Sequence, residues 1–326
     1  MAKKSILIFD KIYGKTKITS PVIIELINSK PLQRLKKIGQ FGVPDEFYHL
    51  KNYSRYDHSI GVMILLNKLG ANEEEQVAGL LHDISHTAFS HVIDWVIGES
   101  EVSEDYQDNQ HRDYILQSEI SNILKKYNLD PERISEHKNF YLLEKDIPFV
   151  CADRVDYSLR EFPIKIAKKC FSGINAYKED IVFNNKEIAF SFAKSFLERN
   201  IKHWGGFEAV VRYRLFANVL RIALKDKIIN FDDFKKDDEY IIKIILKSKN
   251  KKIKKILSVL REKSLKNLPL GKKTAHKKFR YVDPYIAKNG KLLKLSEINP
   301  VFKKILNYYQ KINTKGVTLP KITELE

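Results

Sequence analysis

The segment LLHDISHTAFSHVIDW, residues 80–95, constrains this chain more than any other stretch of its length. Three histidines and two aspartates stand there among Leu, Ile, Phe, Val and Trp. Apolar residues at that density belong to a core, and every imidazole or carboxylate buried with them needs a partner. One histidine on an apolar helix is ordinarily a hydrogen-bonded core residue. Here five of the nine histidines (His58, His82, His86, His91 and His111) fall between residues 58 and 111, with aspartates among them. The pattern predicts the rim of a reaction centre on a helix that is otherwise core.

The surrounding sequence predicts a mainly α-helical protein with small β-hairpins. SILIFDKIYGKTKITS reads as a hairpin, and Ser20-Pro21 as the cap and first residue of a helix. Helical patterns continue in PLQRLKKIGQF and in SRYDHSIGVMILLNKLG, which stops at Gly70. Another helix starts after Asn72, with three glutamates in its first turn, and is expected to run through His82 and His86. Residues 98–112 are polar and acidic and read as a loop. Helices return at 112–127, 130–137 and 142–162, the last with a break at Pro148. DIVFNNKEIAFS suggests strands around an Asn-Asn turn. Further helices are expected at 188–224, broken near Gly205-Gly206, and at 231–248 and 250–263. The tail suggests a hairpin turned at Asn289-Gly290. Two regions are expected: a catalytic core over residues 1–175, and a mainly helical region over 176–326 packed on it.

Composition narrows the partners. With 43% hydrophobic residues in 326 the chain can bury a substantial core, and no apolar run is long enough to span a bilayer. No signal-peptide pattern opens the chain, and two cysteines make no disulfide framework, so a cytoplasmic location is expected. The net charge of +17 is regional: residues 241–280 hold 15 lysines and arginines against a single acid, Glu262. Such a tract is either a solvated lysine-rich face or an attractor of polyanions, nucleic acid included.

Adjacent His82 and Asp83 offer an imidazole nitrogen and a carboxylate oxygen, donors that suit Zn, Fe, Mn or Ni. On one helix, Asp83 lies about 100° around from His82, near enough to reach a common point. Two ligands from one helix rarely hold an ion. His58 in RYDHS and an aspartate of CADRVDY are the natural others.

RYDHSIGV, LLHDISHTAFSH, HRDY and ADRVDYSLRE follow one another as do the motifs of the HD-domain metal-dependent phosphohydrolases. Within them the chain most resembles the dNTP triphosphohydrolase branch. The opening FDKIYGKTKIT…PLQRLKKIGQFG and the late KKFRYVDPYI…NGKLLKLSEI resemble segments of that branch as well. The resemblance implies His58, His82, Asp83 and Asp153 as ligands of one divalent ion (Fe, Mn, Zn, Ni or Mg), with a second Mg arriving on a triphosphate. It implies His86 near the phosphates, His91 as acid with Asp94 orienting it, and His111 beside them. For substrate it implies Arg55 on phosphate or the nucleophile, Arg154 on phosphate, Gln33 and Tyr157 on sugar, and Tyr213 on the nucleotide. It also implies a homo-oligomer and a nucleotide effector. The chain departs from the pattern at Ser85, where glycine is common, and at Glu161, one methylene longer than the usual aspartate. The reaction so implied is dNTP to deoxynucleoside and triphosphate. Two alternatives stand: an HD-type nuclease or phosphodiesterase on single-stranded nucleic acid guided by residues 241–280, and a non-catalytic nucleotide- or nucleic-acid-binding regulator.

Overall fold

A computed structural model describes residues 5–98, 105–288 and 290–321. The chain opens with an antiparallel hairpin, β1 (Ile6–Asp10) and β2 (Gly14–Ile18). Helices α1 (Pro21–Asn28) and α2 (Lys30–Arg34) follow, then α3 (Arg55–Lys68) and α4 (Glu73–Leu81). Next come α5 (Val92–Ile97), α6 (Tyr106–Gln117), α7 (Glu119–Lys126) and α8 (Pro131–Ser135). Helices α9 (Ala152–Glu161) and α10 (Ile164–Phe171) precede a hairpin of β3 (Ile174–Tyr177) and β4 (Asp180–Phe183). Helices α11 (Lys186–Arg199) and α12 (Phe207–Lys225) flank a wide turn at residues 200–204, and α13 (Asp238–Lys247) and α14 (Lys251–Leu260) follow. The chain ends in β5 (Leu270–Ala275), β6 (Tyr285–Lys288), β7 (Lys291–Lys294), α15 (Leu295–Ile298), α16 (Pro300–Thr314) and β8 (Val317–Pro320). The strands form two hairpin-like ribbons, β1-β2 and β5-β8, and one sheet in the order β3-β4-β6-β7. The fold is mainly α with small β additions. Among the described residues no helix is long and apolar enough to cross a membrane.

Local chemistry sets the helix ends that matter for the site. Ser54 and Asp57 form a reciprocal capping box at the start of α3: the serine hydroxyl accepts from Asp57 N, and the aspartate accepts from Ser54 N. Asn72 caps α4 through Glu75 N, and Ser20 caps α1 ahead of Pro21, both as the sequence suggests. Gly70, at φ +78°, ends the α3 segment.

Several expectations change. Helix α4 stops at Leu81, so His82, Asp83 and His86 occupy the tight turns after it rather than one helix face. The imidazole of His82 folds back onto Gly79 O, and the turn continues into Phe89 and Ser90 at positive φ. The acidic loop expected over 98–112 is helix from Tyr106 onward, while residues 99–104 lie outside the described residues. Within 142–162 only Ala152–Glu161 is α-helix. Asn185 caps α11 through Ile188 N and does not turn a hairpin; the β3-β4 turn is at Lys178, φ +56°. Strands β5 and β8 were not expected. The tail hairpin β6-β7 is present with Gly290 at φ +74°, and Asn289 lies outside the described residues.

Two apolar cores organise the molecule. The first runs from Ile12 to Phe302, taking Val62 and Leu66 of α3, Leu80 and Leu81 of α4, Val155 of α9 and Phe196 of α11. The second runs from Phe41 to Leu319 and includes Phe89, Ile93 of α5, Phe216 of α12, Ile245 of α13 and Leu257 of α14. Neither core follows a division at residue 175, since each takes residues from both sides of it. Phe41 and Trp95 of the second core, with Tyr157 and Trp204 packed against the first, line one cavity.

Candidate active site

Three elements bring the histidines and aspartates together. His58 lies in the first turn of α3, His82 and Asp83 directly after α4, and Asp153 in the first turn of α9. His58 Nε2 is 3.1 Å from His82 Nε2 and 2.8 Å from Asp153 Oδ1. His82 Nε2 is 3.5 Å from Asp153 Oδ1 and 3.6 Å from Asp83 Oδ1. Asp83 Oδ2 closes the group at 3.8 Å from His58 Nε2. Donor atoms of His58, His82 and Asp83 thus lie within 4.8 Å of one another, and Asp153 Oδ1 stands within 3.5 Å of both imidazoles.

The far side of each imidazole fixes what faces this cluster. His58 Nδ1 donates to Asp156 Oδ2 at 2.7 Å, and His82 Nδ1 donates to Gly79 O at 2.8 Å. With both Nδ1 atoms donating, two neutral rings would direct Nε2 lone pairs at each other. A cation between them removes that repulsion, and two imidazole nitrogens with two carboxylates form a donor set suited to a divalent transition metal. Without an ion a proton serves instead. Burial alone would lower His58, but Asp153 and Asp156 outweigh it and hold the imidazole up at about 9. His82 is raised as well, with Asp83 and Asp153 overcoming its burial. Asp83 and Asp153 are both held below the usual carboxylate range despite burial, Asp83 chiefly by Arg55 and Asp153 chiefly by His58.

Asp156 is the support that sequence reasoning missed. Fully buried, it also accepts from the Tyr13 hydroxyl at 2.7 Å and from Arg160 Nε at 2.7 Å, and Arg160 reaches on to Asp10 at 2.9 Å. The hairpin β1-β2 thereby braces the ring of His58. Gly61 of α3 allows this approach: a Cβ there would lie 2.0 Å from Arg160 Nη2 and 2.1 Å from Asp156 Oδ1.

Beside the quartet, Arg55 donates to Asp83 Oδ2 at 2.7 Å and to Ser90 Oγ at 3.0 Å. His86 Nε2 lies 3.2 Å from Asp83 Oδ1, and burial together with Arg55 lowers its imidazole to about 3, so it is neutral at pH 7. His91 Nδ1 is 3.3 Å from Asp94 Oδ2, and its ring meets that of His86 edge-on at 4.9 Å. Asp94 is itself fixed by Tyr106 N at 3.0 Å.

Beside these groups lies a cavity of about 540 Å³, a size that suits a nucleotide-sized ligand. Arg55, His82, Asp83, His86, His91, Asp153, Arg154, Tyr157 and Tyr213 line it. Away from the quartet its wall is aromatic: Phe41, Tyr48, Tyr53, Trp95, Trp204 and Tyr213. Gln40 and Tyr53 also line it, and Gln40 Oε1 and the Tyr53 hydroxyl are buried without a hydrogen-bond partner among the described residues.

Four residues behave otherwise than the sequence suggested. Gln33 is not among the lining residues; its amide donates to Ile27 O at 2.6 Å because α2 turns it back onto α1. Gln40, seven residues on, takes a place in the wall. His111 stands behind the wall, 3.0 Å from His137 Nε2 and 3.2 Å from Ser85 Oγ, and does not meet the His91–Asp94 pair. This contact also explains how serine is accommodated at position 85, since Ser85 Oγ accepts from Gln107 Nε2 at 2.8 Å. Arg154 lines the cavity, but its guanidinium is bonded to Phe149 O at 2.6 Å and Lys145 O at 3.0 Å, pinning the preceding loop. Glu161 has both carboxylate oxygens engaged, by His203 Nδ1 at 2.6 Å and Trp204 Nε1 at 2.8 Å, and His203 Nε2 meets the Tyr48 hydroxyl at 2.8 Å.

The family model of the HD domain matches residues 55–158, the span that carries the quartet. An uncharacterized protein of Bacillus subtilis (strain 168), YdhJ, is 36% identical over 95% of this chain and 97% of its own length. The metal-dependent phosphohydrolase cns2 of Cordyceps militaris is 32% identical over 66% of each chain. A deoxynucleoside triphosphate triphosphohydrolase SAMHD1 homolog of Dictyostelium discoideum is 34% identical, over 29% of this chain and 21% of its own. The chain belongs to the HD-domain metal-dependent phosphohydrolases.

Proposed function

We propose that this phosphohydrolase acts on deoxynucleoside triphosphates, releasing deoxynucleoside and inorganic triphosphate, with His58, His82, Asp83 and Asp153 holding one divalent ion. One observation carries the reading: one cavity is lined by His82, Asp83 and Asp153 of the quartet, by His91, which Asp94 holds, and by an aromatic wall. A phosphate chain suits the first end, and a planar base suits the second. The partial likeness to a deoxynucleoside triphosphate triphosphohydrolase supports the substrate.

A bound divalent ion supplies Lewis-acid stabilisation of phosphoryl charge and acidifies water. The remaining work falls to side chains. Hydrolysis at the α-phosphorus forms a bond to the water oxygen and breaks the bond to O5′, which needs a proton as it leaves. In this reading His91 gives that proton, with Asp94 fixing its ring from Nδ1 so that Nε2 can face the substrate. Arg55 is held by Asp83 and Ser90 at the edge of the quartet, where its guanidinium offsets phosphate charge. Neutral His86 offers a hydrogen bond without adding charge. Tyr213 and Trp95, with ring centres 6.3 Å apart, offer faces to the base.

The test is ³¹P NMR of each dNTP and NTP, alone and in mixtures, with protein loaded with Mn²⁺ or Fe²⁺. Release of inorganic triphosphate is expected, and it should fall by about 10²–10⁴-fold in His91→Ala that retains its metal. Intact nucleotides across all metals would overturn the reading.

A further inference from the structure

A row of hydrogen bonds runs along the cavity wall from residues outside the span 55–158 that the HD domain occupies. Its members are Tyr48, in the loop before α3, Glu161, the last residue of α9, and His203 and Trp204 of the wide turn at residues 200–204. All four line the cavity. The turn is closed by Gly205 N, which donates to Asn200 O at 2.7 Å, and by Gly206 N, which donates to His203 O at 2.8 Å. The side chains of Glu161 and His203 are only 6% and 3% exposed, so bulk water does not compete for their bonds.

The direction of each bond follows from donor chemistry. An indole N–H can only donate, and an ionised carboxylate can only accept. Trp204 Nε1 takes one oxygen of Glu161 at 2.8 Å and His203 Nδ1 takes the other at 2.6 Å, so Nδ1 carries the ring hydrogen. A neutral imidazole with its hydrogen on Nδ1 has a lone pair on Nε2. The Tyr48 hydroxyl, 2.8 Å from that Nε2, therefore donates to it. A phenol has one hydrogen. With it committed to His203, Tyr48 offers only lone pairs to a ligand.

The row also has a direction in space. At one end the Trp204 ring is 5.3 Å from that of Tyr157, which is 6.5 Å from the ring of His58 in the quartet. At the other end Tyr48 is 6.4 Å from Tyr213, whose ring is 6.3 Å from Trp95. The acceptor stands where the aromatic faces suit a base. An acceptor that meets another acceptor is left unpaired, and that loss makes such a group discriminating.

We propose that the Tyr48 hydroxyl accepts a hydrogen bond from the base edge of the substrate and so favours bases with an exocyclic amino group, adenine and cytosine, over their oxo counterparts. Glu161 and His203 are positioning residues that set the polarity Tyr48 presents. This rests on the nucleotide reading above and adds to it a selector of the base.

The test sets matched nucleotides in competition on the Mn²⁺-loaded full chain at pH 8: dATP against dITP, and dCTP against dUTP. The wild type should favour the amino member of at least one pair by about 10- to 100-fold in kcat/KM. Tyr48→Phe should bring that pair within about threefold. Glu161→Gln should reverse the preference. Its amide keeps an oxygen for Trp204 and donates an N–H to His203 Nδ1, which moves the ring hydrogen to Nε2 and frees the Tyr48 hydrogen for the ligand. ¹⁵N NMR, with His203 assigned by its loss in His203→Gln, should show the hydrogen on Nδ1 in the wild type and on Nε2 in Glu161→Gln. Melting curves check folding; should Glu161→Gln not fold, the wild-type tautomer and Tyr48→Phe decide. Equal use of both members of both pairs by the wild type would overturn the proposal, as would a preference that survives in Tyr48→Phe. So would a hydrogen on Nε2 of wild-type His203, or a folded Glu161→Gln that keeps the wild-type preference. A protein that hydrolyses no nucleotide sinks the functional reading alone, since calorimetry then reads the same preferences as ratios of dissociation constants. One that binds none sinks both.

Discussion

At the scale of residues, the imidazole of His58 depends on a carboxylate that touches no substrate. Asp156 fixes the donating nitrogen of that ring and so directs the other toward the quartet. Asp156→Asn should therefore lower metal affinity by about 10- to 100-fold, read by competition with a metal buffer. Tyr13→Phe, which removes a different bond to the same carboxylate, should cost about 1 kcal/mol of stability and leave affinity nearly unchanged. Equal affinity losses in both would show that Asp156 acts through packing alone. The quartet was legible in the sequence because its residue types sit in short motifs whose spacing survives folding. Asp156 was one of two aspartates in CADRVDY; the resemblance implied Asp153 as the ligand, and the α3–α9 contact shows Asp156 behind His58. His137 and Gln40 carried no motif at all. His137 reaches His111 across a separation of 26 residues, and nothing local announces such a meeting.

At the scale of elements, α3 and α9 are held at the distance that Gly61 permits. A methyl group there has no space, since the nearest atoms belong to a buried ion pair with partners at both ends. Gly61→Ala should destabilise by about 1–3 kcal/mol or more, and should lower metal affinity too, because α9 carries Asp153 and Asp156. Denaturant unfolding with metal titration measures both; an unchanged midpoint with full metal retention would mean that the helices part without consequence. Helix existence was readable from apolar spacing and caps, as at Ser20 and Asn72. Helix ends beyond them were not. The turn at His82–Ser85 is set by hydrogen bonds to Gly79 and Gln107, and polar HRDY sits in α6 because His111 turns inward to His137 and Ser85. Asn184-Asn185 fits a turn and a cap equally well in sequence, and the strand pairing β3-β4 settles it as a cap.

At the scale of the whole molecule, the cavity lies at a junction between side chains packed on the two cores. Asp238, at the start of α13 in the second core, accepts from Gly39 N at 2.9 Å and from Phe89 N at 2.7 Å. Those two backbone groups belong to the loops that bring Gln40, Phe41 and His91 to the wall, and Ser90 Oγ ties the same loops by donating to Gly39 O at 2.8 Å. Such a junction was invisible in sequence, since its partners lie 149 and 199 residues apart. Burial is the main influence on Asp238 and raises its carboxyl to about 7, outweighing the two backbone donors. A raised carboxyl binds its proton more tightly in the folded chain than in the unfolded one. Its contribution to stability is therefore fully present below the unfolded value, near pH 4, and is lost as pH rises through about 7. Urea midpoints of the wild type, measured from pH 4 to pH 8, should carry this downward component, and Asp238→Asn should lack it. Subtracting one curve from the other cancels every other titrating group. A difference curve that is flat across the window, or that rises with pH, would mean that this carboxylate is ionised when folded and that the junction draws its strength from charge.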